Sequence, residues 1–223
     1  AWKRAREAQA EWERRGLYVV PQPQVVEAQQ GTFQAGETLS VALLGSTNPA
    51  DQRSAHDLCA EMSLRWGREV PLVDELRDRQ VRLVRVTSTA ELSAAVGFPL
   101  VAEPGSQGYA LAVTPEGIVG AATTAVGLYY ASMTLSQLVR TKGQAIVIEA
   151  VHIVDWPDLQ HRMVQYDIAR GNTVDVTYWK RWIRELSRLK INEIMLYMED
   201  DWHSPSYPFL GRPGTLTPAK AAE

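Results

Sequence analysis

The first two thirds of the chain alternate between strand-like and helix-like hydrophobic patterns. Apolar and polar positions alternate over residues 81–88, as in a half-buried strand, and apolar positions recur at helical spacing over residues 49–67. The clearest hairpin occupies residues 108–122 and turns at the sequence Thr-Pro-Glu-Gly. Further strands are predicted within 17–36, 39–45 and 143–159, and further helices at 1–16 and 123–140. This order predicts an α+β domain over residues 1–153, with helices packed on a mixed sheet.

The pattern changes over residues 154–223. A strand is predicted at 161–171, a helix at 175–190 with Trp179 and Trp182 on its apolar side, a second strand at 191–202, and the start of another helix at 216–223. Strand, helix, strand and helix in succession predict parallel strands joined by right-handed crossovers. Because a complete (β/α)8 barrel needs about 250 residues, this region is predicted to hold only the first βα units of a truncated TIM barrel, and the fold class is α/β.

Charged residues follow both predicted barrel strands where each strand ends. Asp167 and Arg170 follow the first strand, and Glu199, Asp200 and Asp201 follow the second. Catalytic and binding groups of parallel barrels come from the carboxyl ends of the strands and the loops after them. The pattern therefore predicts a site at this end, with a solvated acidic turn as the alternative.

Composition and motifs exclude several classes of function. The formal net charge of −3 gives no electrostatic footprint for nucleic acid, and the longest apolar runs are too short to span a membrane. The single cysteine, Cys59, lies on the apolar face of a predicted helix and is expected to be buried and inert. The four histidines are scattered, and the sequence contains neither a metal-binding motif nor a nucleophile motif. We therefore predict no metal and no cofactor.

Both ends of the sequence indicate a piece of a longer protein. The chain starts without methionine inside a predicted helix and stops one turn into another. Localisation is therefore left unknown. An incomplete barrel would expose apolar surface and an open strand edge, which predicts self-association.

Three stretches carry a resemblance to glycoside hydrolase family 20, the β-N-acetylhexosaminidases. Residues 18–34 resemble the "PxPxxxxxxxGxF" opening of that family's accessory domain, and residues 108–139 are similar to its hairpin and following helix. Residues 154–171 and 186–202 look like the start of the family barrel, with Asp-x-Pro, an arginine opening the first strand, Asp-x-x-Arg closing it, and Lys-x-Asn before the second. The chain departs from the family at Arg162-Met163, where Arg-Gly is usual, and at Leu196-Tyr197, where Trp-His is common.

The resemblance implies a glycosidase of carbohydrate metabolism that removes terminal β-linked N-acetylhexosamine with retention. It implies a substrate-assisted route, in which the acetamido oxygen of the sugar attacks the anomeric carbon and no enzyme nucleophile takes part. The catalytic Asp-Glu pair would follow the fourth barrel strand, beyond residue 223. The chain is therefore expected to hold no catalytic residue and to be inactive by itself.

The resemblance also assigns expected roles to residues near the sugar. Arg162 is expected to grip ring hydroxyls of the terminal sugar, or else to pair with Asp167. Asp200 is expected to tune the distant general acid, and Glu199 and Asp201 could exchange that role by a shift of one residue. Substrate contact is thus expected from Arg162, Asp200, Glu199 and Trp202, and structural support from Asp167, Arg170 and Asp201. Trp202 is a stacking platform for the sugar or a cover for the hydrophobic rim.

Two other functions stay open. One is an acetamido-sugar hydrolase that resembles the O-GlcNAc hydrolases, although the Glu-Gly-Phe-Tyr-Gly stretch usual there is lacking. The other is a non-catalytic module for carbohydrate binding or packing. In each enzymatic reading the partner is a glycan that contains N-acetylhexosamine, with no nucleic acid and no membrane.

Overall fold

Two units make up the chain, Ala1–Asp158 and Leu159–Glu223. The computed structural model describes residues 2–75, 80–169, 175–199, 202–209, 211 and 214–222, and for residues 2–8 the backbone alone. The division falls just after the last strand of the first unit, a few residues beyond the predicted boundary at 153/154.

The elements of the first unit are α1 (Trp2–Arg15), β1 (Val25–Ala35), β2 (Val41–Leu44), α2 (Pro49–Trp66), β3 (Leu72–Val73), β4 (Val81–Arg85), α3 (Thr89–Val96), β5 (Tyr109–Thr114), β6 (Gly117–Ala122), α4 (Ala125–Leu138), β7 (Arg140–Lys142) and β8 (Ala145–Asp155). The eight strands form a mixed sheet with strand order β1-β8-β5-β6-β4-β2-β3 and β7 paired to β8. The parallel pairs are β2–β3, β2–β4 and β4–β6, and the pairs that involve β5, β7 or β8 are antiparallel. The predicted mixed sheet with helices is confirmed.

Helices cover both faces of this sheet. On one face, Leu111 and Val113 of β5 join the large core cluster that contains residues of α2 and α4. On the other face, Ala110 and Ala112 pack in a smaller cluster with Leu92 of α3. The central strands are therefore buried on both sides, which explains why β5 consists almost entirely of apolar residues.

The predicted apolar face of α2 is buried. Leu58 and Met62 are fully buried, and Cys59 is 8% exposed. Burial raises the pKa of the Cys59 thiol to about 11. The thiol therefore stays protonated near neutral pH, in agreement with an inert, structural cysteine.

Gly127 lies at a close approach between α4 and the loop before β5. A Cβ atom at Gly127 would lie 2.2 Å from the carbonyl oxygen of Gly108 and 3.0 Å from the Cβ of Ala122. Only a residue without a side chain fits there, although glycine is unfavourable in a helix.

We expect Gly127→Ala to lower the free energy of unfolding by about 2 kcal/mol, because overpacking against backbone outweighs the gain of about 1 kcal/mol from helix propensity. Urea denaturation of both proteins measures the difference. Val126→Ala, an exposed position of the same helix, is the control and should change stability by about 0.5 kcal/mol or less. A Gly127→Ala protein more stable than the parent would contradict the close approach.

A buried ion pair joins α2 to β4. Asp51 is fully buried, and Nη1 of Arg85 donates to both of its carboxylate oxygens at 2.9 Å. The hydroxyl of Ser46 donates a third hydrogen bond to Asp51 at 2.5 Å. The carboxylate is therefore well satisfied in a site where water does not reach it.

The second unit contains two parallel strands joined by a helix, as predicted. Its elements are β9 (Met163–Asp167), α5 (Val176–Arg188), β10 (Glu193–Tyr197) and α6 (Pro218–Ala222). Strands β9 and β10 are paired in register from Met163↔Glu193 to Asp167↔Tyr197. Asp175 caps α5 by accepting from the backbone N–H of Tyr178 at 2.7 Å.

An aromatic cluster holds α5 against β9. The ring of Tyr166 lies 4.9 Å from that of Trp179 and 5.3 Å from that of Trp182, both in edge-to-face geometry. The prediction that these tryptophans serve packing is confirmed. The opposite face of the strand pair exposes Met163, Met195 and Tyr197.

Candidate functional site

The carboxyl ends of β9 and β10 lie side by side. Asp167 is paired with Tyr197, and the backbone N–H of Ile168 donates to the carbonyl of Tyr197 at 3.0 Å, which extends the ladder past the end of β9. The two loops that follow these strands therefore start next to each other. This is the end at which parallel barrels build their sites.

Asp167 shapes the loop after β9. Its Oδ1 accepts from the backbone N–H of Ala169 at 3.0 Å, a turn in which a carboxylate satisfies the backbone two residues on. Ile168 and Ala169 are buried, so this turn is anchored. Arg170 lies outside the described residues, and its expected role in supporting the site stays a prediction.

Glu199 lies just beyond the end of β10. The hydroxyl of Tyr197 donates to Oε1 of Glu199 at 2.7 Å, and Glu199 has a backbone φ of 43°. Left-handed backbone is uncommon for a residue with a side chain and recurs at functional sites. The carboxylate is exposed and held by the tyrosine. Such a group can accept hydrogen bonds from the hydroxyls of a bound sugar.

Trp202 and Leu216 lie side by side and bring together the two ends of the loop between them. The two residues form an isolated parallel bridge, and the backbone N–H of His203 donates to the carbonyl of Leu216 at 3.1 Å. Trp202 is half-buried. Its role as stacking platform or as cover stays a prediction. Asp200 and Asp201 lie outside the described residues.

Arg162 lies at the other end of the strand pair. It precedes β9, whereas Asp167 ends β9, and five residues at about 3.3 Å each separate the two ends by roughly 16 Å. Nε of Arg162 donates to the carbonyl of Lys190 at 2.8 Å, and Nη1 donates to that of Leu159 at 2.6 Å. The structure therefore does not bring Arg162 together with Glu199 or Asp167. A sugar contact by Arg162 stays an untested prediction that the geometry does not support.

The Lys-x-Asn segment secures this amino-terminal end. Oδ1 of Asn192 accepts from the backbone N–H of Arg162 at 2.8 Å, and Nδ2 donates to the carbonyl of Gln160 at 2.8 Å. Lys190 is buried and has a φ of 60°. His161 also contacts Glu193 across the two strands. These residues position the strands and do not face the end where Glu199 lies.

Tyr197 is the residue that the sequence interpretation missed. It faces away from α5, in phase with Met195, and its hydroxyl reaches Glu199. The signal was present, because strand alternation places residues 193, 195 and 197 on one face.

The described residues contain no group of three or more His, Cys, Asp or Glu side chains that could hold a metal ion. None of their helices is both long and apolar enough to cross a membrane.

The fold defines a chain with an α+β domain followed by the beginning of a parallel βα unit that carries acidic residues at its strand ends. A family model described as glycosyl hydrolase family 20, domain 2, matches residues 16–156. Since this match covers more than half of the sequence, the chain belongs to glycoside hydrolase family 20. The resemblance read from the sequence is thereby confirmed.

Known relatives agree with this assignment. Over 116 residues, 49% of this chain and 20% of the relative, the chain is 31% identical to the β-hexosaminidase subunit beta of Entamoeba histolytica. Its fold matches the chitobiase of Flavobacterium johnsoniae with a TM-score of 0.74 at 18% identity, over 93% of this chain and 32% of that one. It matches the family 20 β-N-acetylhexosaminidase of Streptomyces coelicolor with a TM-score of 0.72 at 22% identity, over 91% and 42%.

These relatives are much longer than the chain. The matched part spans a fifth of the Entamoeba protein and less than half of either bacterial structure. The likeness to the solved structures shows the fold alone.

Proposed function

We propose that the chain is the amino-terminal part of an enzyme that removes terminal β-linked N-acetylhexosamine from glycans. The family match over residues 16–156 carries this proposal. The paired strand ends support it, because they present Asp167 and the Tyr197–Glu199 pair at the end where a barrel binds its substrate. The reaction would follow the substrate-assisted route that the resemblance implies.

Sugar contacts are proposed at the carboxyl ends of β9 and β10. Arg170 is proposed to contact ring hydroxyls of the sugar in place of Arg162, because it follows Asp167 by only three residues. A planar guanidinium suits two adjacent hydroxyls. Glu199 would accept hydrogen bonds from hydroxyls. Asp200 would tune the general acid, because a nearby negative charge raises a carboxyl pKa. Asp167 and Asp201 would support the loops, and Trp202 would flank the sugar.

The catalytic Asp-Glu pair is proposed to lie outside this sequence. A purified protein of residues 1–223 is therefore expected to give no turnover of a chromogenic N-acetylglucosaminide above the buffer rate. The longer protein, assayed in parallel, serves as the positive control and should be active. Turnover by residues 1–223 would contradict the proposed position of the pair, and an inactive longer protein would contradict the proposed function.

Self-association of the 223-residue chain is a further proposal. Met163, Met195 and Tyr197 are 49%, 46% and 41% exposed on one face of the strand pair, a patch that water solvates poorly. We expect the sedimentation coefficient to rise with protein concentration and Met195→Lys to suppress the rise. Leu64→Lys changes an exposed apolar residue of the other unit and should leave the rise unchanged. A coefficient independent of concentration would contradict self-association.

A further inference from the structure

A basic cleft lies in the first unit, between the last turn of α1 and the ribbon formed by β7 and β8. Its volume is about 430 Å³, within the range of small-molecule sites. Four cationic side chains line it, from Arg14, Arg15, Arg140 and Lys142. The net charge of the whole chain is −3. The cluster is therefore a local concentration of positive charge on an acidic protein.

Two carboxylates, Glu13 and Glu149, also line the cleft, but within the described residues neither forms an ion pair with the four cations. Glu13 accepts from the side-chain amide of Gln9 at 3.2 Å, and Glu149 accepts weakly from the hydroxyl of Thr32 at 3.4 Å. Arg14 forms an ion pair with Glu11 at 2.5 Å. Within the described residues, Arg15, Arg140 and Lys142 have no carboxylate within ion-pair distance.

The two arginines next to the cleft are held in place by backbone carbonyls. Nη1 of Arg140 donates to the carbonyls of Gln137 at 2.6 Å and Val139 at 3.1 Å, and Nη2 of Arg15 donates to that of Gln29 at 3.1 Å. Nε and Nη2 of Arg140 donate no hydrogen bond to any described residue. The contacts with backbone carbonyls orient the guanidinium groups of Arg15 and Arg140 before a ligand binds, which lowers the entropy lost on binding.

Two neighbouring features favour an anion in this position. Gly16 lies beside Arg140, where an added Cβ would be 3.7 Å from Nε, so residue 16 places no side chain of its own against the guanidinium. Partial burial, and then the positive charge of Arg65, lower the pKa of Arg140. An anion bound here would relieve this repulsion between like charges.

We propose that the cleft binds an oxyanion of the sulfate or phosphate-ester class, held by Arg15, Arg140 and Lys142. The forked guanidinium donors match the oxygen geometry of such groups, and the lysine adds a compact charge. The cleft belongs to the first unit, whereas the residues proposed to contact the sugar belong to the second. Its test does not depend on enzymatic activity.

Titration of the 223-residue chain with sodium sulfate, followed by calorimetry at constant ionic strength, tests the site. We expect saturable binding, which a matched titration with sodium chloride should not give. Arg140→Gln with Lys142→Gln should weaken binding at least about tenfold, equivalent to about 1.4 kcal/mol. Arg53→Gln with Arg181→Gln removes the same charge at exposed positions outside the cleft and should leave the affinity within about twofold.

The source of the oxyanion is distinguished by comparing N-acetylglucosamine 6-sulfate, N-acetylglucosamine and inorganic sulfate. Tighter binding of the sulfated sugar than of sulfate assigns the cleft to a glycan substituent, and equal binding assigns it to the free ion. If the double variant is unfolded by circular dichroism, Lys142→Gln alone should still weaken binding measurably. Non-saturable heats, or equal loss in the Arg53/Arg181 control, would overturn the proposal.

Discussion

Replacing Arg170 by alanine in the longer enzyme is expected to lower kcat/KM for a chromogenic N-acetylglucosaminide by roughly 100-fold. Arg170 follows Asp167, the last residue of β9, by three positions in the sequence. Loss of a hydrogen bond from a charged group to the sugar costs about 1.5–3 kcal/mol, and the kinetic ratio reports that loss directly. The effect should appear in kcat/KM without a change in thermal stability of comparable size.

Arg162→Ala is the matched control for this experiment. Because Arg162 binds the carbonyls of Lys190 and Leu159 at the opposite end of β9, its loss should lower stability while kcat/KM of the folded enzyme stays within about threefold. The reverse result, a large kinetic loss for Arg162→Ala and a small one for Arg170→Ala, would refute the assignment of the sugar contact to the carboxyl ends. It would restore the role first expected of Arg162.

Asp51→Ala is expected to lower the free energy of unfolding by about 3 kcal/mol, because removing one partner of a buried ion pair leaves the other uncompensated. This value lies at the low end of the usual range, since the Arg85 side chain is 24% exposed and water can reach part of it. The hydroxyl of Ser46 also loses its acceptor. Urea denaturation of the 223-residue chain at neutral pH measures the loss.

Two further variants serve as controls for the Asp51→Ala measurement. Glu69→Ala removes an exposed carboxylate just after the same helix and should change stability by about 0.5 kcal/mol or less. Asp51→Leu combined with Arg85→Met should recover part of the loss, since an apolar pair of similar volume often replaces a buried ion pair. If Asp51→Ala lowered the free energy of unfolding by less than about 1 kcal/mol, Arg85 would be solvated by water in the variant, and the prediction of an uncompensated buried charge would be wrong.

Much of the fold was predictable because local patterns report burial. The alternation of Leu111 and Val113 identified β5, and the helical spacing of Leu58 and Met62 identified the buried face of α2. The tryptophans of α5 were expected to pack, and they contact Tyr166. In each case the periodicity of one segment reports the side on which it meets the core.

The candidate site was predictable in outline. Acidic residues after consecutive parallel strands pointed to the strand ends, and the structure places Asp167 and the loop of Glu199 side by side. Arg162 lies before the first position of β9 and donates to the carbonyl of Lys190, 28 residues away in sequence, so the structure does not place it beside them. Its contact with the sugar stays a prediction. The role of Tyr197 was missed because a strand position gives the face of a side chain but not its partner.

The sequence by itself determined the order of the elements, the faces they bury and the family to which the chain belongs, since all three depend on residue types at short spacing. Only the tertiary structure decided which distant groups meet. In the folded chain Asp51 pairs with Arg85, 34 residues away in sequence, and Gly127 lies close to the carbonyl of Gly108. Arg15 and Arg140 line the same cleft. Such contacts depend on how strands pair and helices cross, and local periodicity does not encode that geometry.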